Sequence, residues 1–318
     1  VVNHLLHRFP PALLTLVLGS IVIFALLRVF PGDPAEVMAG ADAPPEAIDS
    51  IRRSLGLDRP VLSQYFAWIG SIMTLNFGDS YVIGGSISEL LSAAALNTCV
   101  LASSALILSM LIALILGVGV ELIDVRWARD AAAAITTLAL AIPNFVVGTV
   151  LLIVFSVVLA VLPAGGIPRE GLSENPEITV QFLVLPAIVL ALPVGSQLAR
   201  FLQDSISREL RASYVTTARA LGIPRSRIIL TQVLPNALPA ALTVLGLEIG
   251  HIFGGTVIVE ALFAWPGLGY LTQQAIINRD YPVVQIILLL SVALYVFIQL
   301  ASDITHAVLD PRIRIGAR

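Results

Sequence analysis

The sequence contains no lysine: all 18 of its basic side chains are arginine. A Walker A loop needs a lysine to reach the nucleotide phosphates, so this chain carries no such loop. No Schiff-base chemistry runs through a lysine amine either. Any ATPase that drives it is therefore another chain. There is one cysteine, Cys99, which excludes a disulfide within the chain. The four histidines, His4, His7, His251 and His306, are scattered and make no metal spacing. Neither a carboxylate pair nor a nucleophile–base set is found, so the chain is assigned no catalytic residues, no metal and no cofactor of its own. Charge is scarce as well. Charged residues make up 12% of the sequence, against roughly a quarter in soluble domains. The net charge of −3 gives no general affinity for nucleic acid.

What fills the sequence instead is hydrocarbon. Hydrophobic residues are 57% of the chain and the mean hydropathy is +0.93. That leaves too little polar sequence to cover a soluble core, whereas lipid as solvent removes the need. A membrane-crossing helix takes about 20 mostly apolar residues. Six such runs are read, at 12–30, 99–120, 136–161, 182–202, 238–259 and 283–302. The first is longer than a signal-peptide core and five more follow, so it reads as a span. The third holds Pro143-Asn144, which predicts a kink or tilt. The expected fold is an all-α integral membrane protein with six transmembrane helices. Trp68, Trp127 and Trp265 suit positions at the membrane interface.

Arginine placement orients these spans. With the N-terminus inside, 12 of the 18 arginines face the cytoplasm: Arg8, Arg126, Arg129, Arg200, Arg208, Arg211, Arg219, Arg225, Arg227, Arg312, Arg314 and Arg318. Both termini are then cytoplasmic. Residues 1–30 are the N-terminus and first span, and 31–98 an extracytoplasmic segment, either a small cap or a loop packed on the bundle. Helical stretches are expected there at 45–55 and 61–74, with breaks at Pro31-Gly-Asp-Pro34 and Gly84-Gly85. Residues 99–305 form the core with the other five spans, and 306–318 a cytoplasmic tail. Within the core, 203–237 is a cytoplasmic loop. Its 212–221 stretch reads as a helix stopped by Gly222, a residue suited to a left-handed C-cap. Ile223-Pro224 cannot continue that helix. Residues 225–233 are helical again, and Leu234-Pro235 lead into the fifth span.

The fifth span holds the ionisable groups of the membrane interior. Glu248 and His251 are three residues apart and share a face. They line a water-filled path or make an interhelical hydrogen bond. Gly246, Gly250 and Gly254, four residues apart, form another face suited to close helix packing.

The loop segment Tyr214-Val-Thr-Thr-Ala-Arg-Ala-Leu-Gly222 with Leu234-Pro235 resembles the cytoplasmic loop of permeases in binding-protein-dependent ATP-binding-cassette (ABC) importers. Thr216, Thr217 and Ala218 stand where that pattern opens with Glu-Ala-Ala, and Gln232 stands at its aliphatic position. The resemblance extends through Glu260-Ala-Leu-Phe-Ala-Trp-Pro-Gly-Leu-Gly-Tyr270, Asn278-Arg-Asp-Tyr-Pro282 and Leu309-Asp-Pro-Arg-Ile-Arg314. Pro31-Gly-Asp-Pro34 and Leu55-Gly-Leu-Asp58 are similar to the first permease subunit of the dipeptide and oligopeptide branch. It implies a type I ABC importer permease fold in a bacterial inner membrane. It also implies a second homologous permease, two cytoplasmic ATPase domains holding ATP and magnesium, an extracytoplasmic substrate-binding protein, and lipid around the spans. Tyr214, Thr216, Thr217, Ala218, Arg219, Gly222, Leu234 and Pro235 then form the ATPase-coupling loop. Pro266, Gly267 and Gly269 make a sharp extracytoplasmic turn. Glu260 and Asp280 beside it cap helix ends or pair with Arg279, or else contact the binding protein. The cargo implied is a di- or oligopeptide. A same-family permease for nickel or another small solute is the alternative, and an ion-coupled secondary transporter a more distant one.

Overall fold

The computed structural model describes residues 2–29, 34–40, 43–54, 56–168, 171–172 and 174–309. The expected break at 31–33 and the tail motif from residue 310 onward lie outside them. In chain order the helices are α1 (Val2–Val29), α2 (Pro34–Ala39), α3 (Pro45–Ser54), α4 (Val61–Met73) and α5 (Ile87–Ala113). A π-helical segment, Leu114–Gly119, joins α5 to α6 (Val120–Ile123). Then come α7 (Arg126–Ala141) and α8 (Asn144–Leu151), which continues as π-helix over Leu152–Val158. Next are α9 (Pro176–Glu209), α10 (Ser213–Ala220) and α11 (Arg225–Ile228), then a π-helical Ile229–Val233. The series ends with α12 (Leu234–Leu262), α13 (Leu268–Ile277) and α14 (Tyr281–Leu309). Among the described residues the only extended pairing is one bridge between Asp79 and Ser86.

Among the described residues, four helices are long and apolar enough to cross a membrane: Phe9–Leu26, Ile87–Ile123, Pro176–Glu209 and Val244–Leu262. A fifth span results if α7 and α8 with its extension are counted together, and these are bent by 105°. Among the described residues the six expected runs thus yield four unbroken candidates and one broken one. The sixth run lies in α14, where the apolar stretch among the described residues is the shorter Tyr281–Phe297. The kink or tilt expected of the third run is thus a sharp bend. Pro143 lacks the N–H a helix needs, and its ring pushes Ile142 out of the helical region to φ −90°, ψ 126°. Two consecutive extended residues redirect the chain.

Contacts group the chain into two compact units, one built on Thr98–Pro266, the other on Val2–Asn97 and Gly267–Leu300. In the first, α9 is the central helix: α7, α8, α12 and the π-helical Leu114–Gly119 pack on it, and the end of α5 approaches it at Ile112. Leu185, Val189, Leu190, Val194 and Leu198 of α9 are buried with Leu101, Ala105, Ile252 and Val259. Small residues permit the closest approaches. A Cβ on Gly195 would lie 2.8 Å from the Cβ of Ile112 and 2.9 Å from the Ser109 carbonyl oxygen. A Cβ on Gly165 would overlap the Phe263 carbonyl, and the N–H of Gly166 donates to that same oxygen at 2.8 Å. This ties the 162–168 loop under the end of α12. Trp265 lies there fully buried, not at an interface.

In the second unit, Ile87 and Leu91 of α5 are buried with Ala275, Val283, Val284, Ile286 and Ile287. Helix α4 lies along α1: the hydroxyls of Ser20 and Tyr65 are 2.8 Å apart, and Phe24 packs edge-on against the Tyr65 ring. Asp280, wholly buried just ahead of α14, organises the 80–83 loop. Its carboxylate accepts the Ser80 hydroxyl and the N–H groups of Tyr81, Val82 and Ile83, the last three at 3.0–3.1 Å. Burial, and secondarily this carboxylate, raise the Tyr81 phenol above its ordinary pKa.

Candidate functional site

Two groups of the sequence-singled residues come together in the Thr98–Pro266 unit. The first is the loop around α10. This helix turns Val215 and Ala218 into a small apolar core with Val118, Leu202, Ile206, Ile228, Ile229 and Val233. Its other side exposes Thr216, Thr217 and Arg219, and Leu221 beyond its end is 74% exposed. Gly222 closes the helix at φ +75°. The N–H of Ile223 donates to the Ala218 carbonyl and that of Gly222 to the Arg219 carbonyl, at 3.1 and 3.0 Å. This is a Schellman turn, with Ile223 folding back onto the same apolar core. Pro224, extended, then starts α11. The Tyr214 hydroxyl donates to Glu209 Oε2 at 2.7 Å. Desolvation holds its phenol above the ordinary pKa, with Asn236 opposing and Glu209 reinforcing the shift. Leu234, partly buried on this core, opens α12, and Pro235 follows just after the π-helical segment.

A Cβ at Gly222 would meet nothing within 4 Å, so the glycine answers to backbone conformation alone. Gly222→Val is expected to cost about 1–2 kcal/mol through the left-handed backbone. Gly222→Asn, which tolerates that conformation, should cost markedly less. Thermal unfolding of the purified variants measures the difference. Equal losses for the two would reject the turn geometry.

The second group is a cavity of about 180 Å³ beside α12, lined by Asn144, Leu190, Pro193, Val194, Gln197, Glu248, His251 and Ile252. Glu248 is 3% exposed and His251 72% exposed, with Nδ1 of the imidazole 3.2 Å from Glu248 Oε2. A buried carboxylate, an imidazole and two carboxamides thus converge on one space with apolar walls. Asn144 enters the sequence reading only as the neighbour of Pro143, and Gln197 not at all, although each is a polar residue inside an apolar run. Pro193 belongs to this wall too, and a proline inside a helix removes one backbone donor.

The remaining residues are placed differently. Gly254 is exposed, and a Cβ there would touch nothing of this chain within 4 Å. Gly246 and Gly250 are half-buried. Gly255 is in close contact: its Cβ would lie 3.1 Å from Leu190 of α9. The two glycines are one residue apart, about 100° around the helix, and α9 lies on the Gly255 side. Glu260 is wholly buried and its Oε1 accepts the Thr98 hydroxyl at 2.7 Å, joining α12 to α5. Pro266 is half-buried, Gly267 precedes α13 in extended conformation, and Gly269 is buried within it. The Asp280 carboxylate goes to the 80–83 loop, not to Arg279. Among the described residues no three His, Cys, Asp or Glu side chains gather as a metal site.

Residues 109–315 match the family described as binding-protein-dependent transport system inner membrane component, and residues 1–85 match its N-terminal membrane component. The chain is 32% identical over 312 residues to the glutathione transport system permease protein GsiC of Salmonella typhimurium, covering 98% of this chain and 99% of that one. It is 30% identical to GsiC of Escherichia coli K12 over the same shares. Among solved structures, the methionine ABC transporter MetNI in an inward-facing conformation superposes with a TM-score of 0.56 at 19% identity. That match covers 70% of this chain and 97% of that one.

Proposed function

Since the chain belongs to the family of binding-protein-dependent transport system inner membrane components, and so is an integral inner-membrane permease of a bacterial ABC importer, we propose that it carries di- or oligopeptides. It does so with a second homologous permease. The observation that carries the ATP-driven part of this reading is the split of α10. Val215 and Ala218 are spent on the chain's own core, leaving Thr216, Thr217, Arg219 and Leu221 facing outward on a helix whose end is rigidly turned. Short polar groups with one apolar and one cationic side chain suit a groove with an acidic rim on an ATPase domain. That face is cytoplasmic in this reading, as are both termini. ATP and magnesium are held by the two ATPase domains, and an extracytoplasmic binding protein delivers the cargo.

Glu248, His251, Asn144 and Gln197 line the pathway in this proposal. A carboxylate receives an ammonium group, and carboxamides match peptide N–H and C=O groups. Glutathione, the cargo in the relatives' names, is itself a tripeptide. The importer, co-expressed with its partner chains, is to be reconstituted in vesicles and given labelled dialanine, trialanine, glutathione and nickel in turn. Uptake of nickel alone would reject the peptide reading and favour the small-solute permease. Glu248→Gln should leave assembly intact and lower peptide uptake about tenfold, as expected for loss of one charge-assisted hydrogen bond. Unchanged uptake of every cargo would make Glu248 a structural residue.

A further inference from the structure

The loop that carries α10 is tied to the rest of its unit by a cluster of charges that the sequence does not announce. Glu121 lies in α6 and is buried; Asp124, at φ 53°, ends that helix in the left-handed region. Arg129 Nη2 lies 3.3 Å from Glu121 Oε2 and 2.5 Å from Asp124 Oδ1. Arg225, first residue of α11, sends Nη2 to the same Glu121 oxygen at 3.3 Å and Nη1 to Asp124 Oδ2 at 3.1 Å. Its Nη2 also reaches the Glu121 carbonyl at 3.4 Å. Two carboxylates thus meet two guanidinium groups, and the cluster is neutral in sum.

Isolated exposed ion pairs contribute little. Here one carboxylate is buried and shared, and the planar guanidinium of Arg225 spans both acids, which fixes direction as well as distance. The apolar contacts beside it, Val215, Ala218 and Ile228 against Val118, Leu202 and Ile206, resist separation but not sliding, because hydrophobic attraction has no direction. Two π-helical segments adjoin the cluster, Leu114–Gly119 ahead of α6 and Ile229–Val233 after α11. Such turns are rare and mark places where helix register shifts. One of them is held by Gln203, whose Nε2 donates to the Leu116 carbonyl at 2.8 Å.

We propose that Glu121, Asp124, Arg129 and Arg225 form a clamp that makes the α10–α11 loop and the α6–α7 turn move as one body. Glu121 and Arg225 are then positioning residues for the coupling of ATP hydrolysis to transport. This rests on the reading of α10 as the helix that meets the ATPase. A push on α10 passes through Arg225 to the α6–α7 turn, and the deformation is taken up in the π segments beyond.

The test uses the importer with its ATPase subunits in lipid nanodiscs, with Cys99→Ser as background. Spin labels at Ser226→Cys and Ile123→Cys, both exposed positions, report the loop-to-turn distance with no nucleotide and with ATP plus vanadate. With the clamp intact, one narrow distance is expected in both states. Arg225→Gln should at least double the width of the distribution and lower trialanine uptake per ATP hydrolysed about fivefold or more, the lower range of coupling energies. Arg225→Lys, which keeps the charge but loses the fork, should fall between. Glu121→Gln with Arg225→Gln should match the worse single variant, since both break one unit. A narrow, unchanged distance in Arg225→Gln, or additive broadening in the double variant, overturns the clamp. A complex from which the ATPase subunits do not co-purify with the unmodified chain refutes the docking role of α10 instead, and the distance measured on the permease alone still decides whether the charges hold the loop.

Discussion

Replacing Asp280 with Ala is expected to release the 80–83 loop and to destabilise the unit formed by Val2–Asn97 and Gly267–Leu300 by on the order of 4 kcal/mol. The estimate comes from several donors left facing a buried gap at about 1–3 kcal/mol each, reduced because an opened loop regains water. Asp280 is fully buried, and its two oxygens take one hydroxyl and three backbone N–H groups. Successive N–H groups curled around one anion make a strong, directional site. Oδ2 accepts from Ser80, Val82 and Ile83, and Oδ1 from Tyr81. Asp280→Asn is therefore graded: its oxygen keeps the three donors at one position, while its amide nitrogen opposes the Tyr81 N–H. Reaction of a thiol placed at Val82, in a Cys99→Ser chain, reads the loop directly. Rapid labelling in Asp280→Ala, slower in Asp280→Asn and slowest with Asp280 present is the expected order. Equal labelling in all three would show that the loop is held by something else.

The second large effect is expected at Gly195. Valine there places a branched Cβ against Ile112 and the Ser109 carbonyl, all within 3 Å before any relaxation. These neighbours are buried on a central helix, and one of them is backbone, so relief requires α5 and α9 to separate. Overpacking of this kind costs about 1–3 kcal/mol and occasionally more. In a bilayer, small residues at such crossings supply much of what holds helices together. The Ser109 hydroxyl, which donates to the Ala105 carbonyl at 2.7 Å and approaches that of Ala191 at 3.3 Å, would lose the second contact. The folded fraction in detergent, followed by size-exclusion chromatography after heating, should fall sharply for Gly195→Val and modestly for Gly195→Ala. Gly254→Ala is the control: an added Cβ there is free of contact within the chain. If Gly195→Val matched that control in the isolated chain, the α5–α9 crossing would not be as close as described.

Much of this protein was decided locally, and that part was legible in the sequence. Hydropathy marked the runs because a span must be apolar along its own length. The unbroken α5 has no proline or glycine from Ile87 to Ala113. The turn after α10 is written in Leu221-Gly222-Ile223-Pro224, since a left-handed residue followed by one that blocks a helix leaves little choice. Pro143 announced a break but not its size: a kink and a 105° redirection use the same residue, and the packing of α7 and α8 on α9 selects between them. Tertiary structure alone decided which polar groups meet. Arg225 finds Glu121 from 104 residues away, and Asp280 finds Ser80 from 200 away. Asn144 and Gln197 join Glu248 only because three helices enclose one cavity. Gly255 packs on α9 and Gly254 does not, because the side on which α9 lies is set by the whole bundle. Periodicity fixes which residues share a face; what that face meets depends on contacts between segments distant in sequence, which no local rule contains.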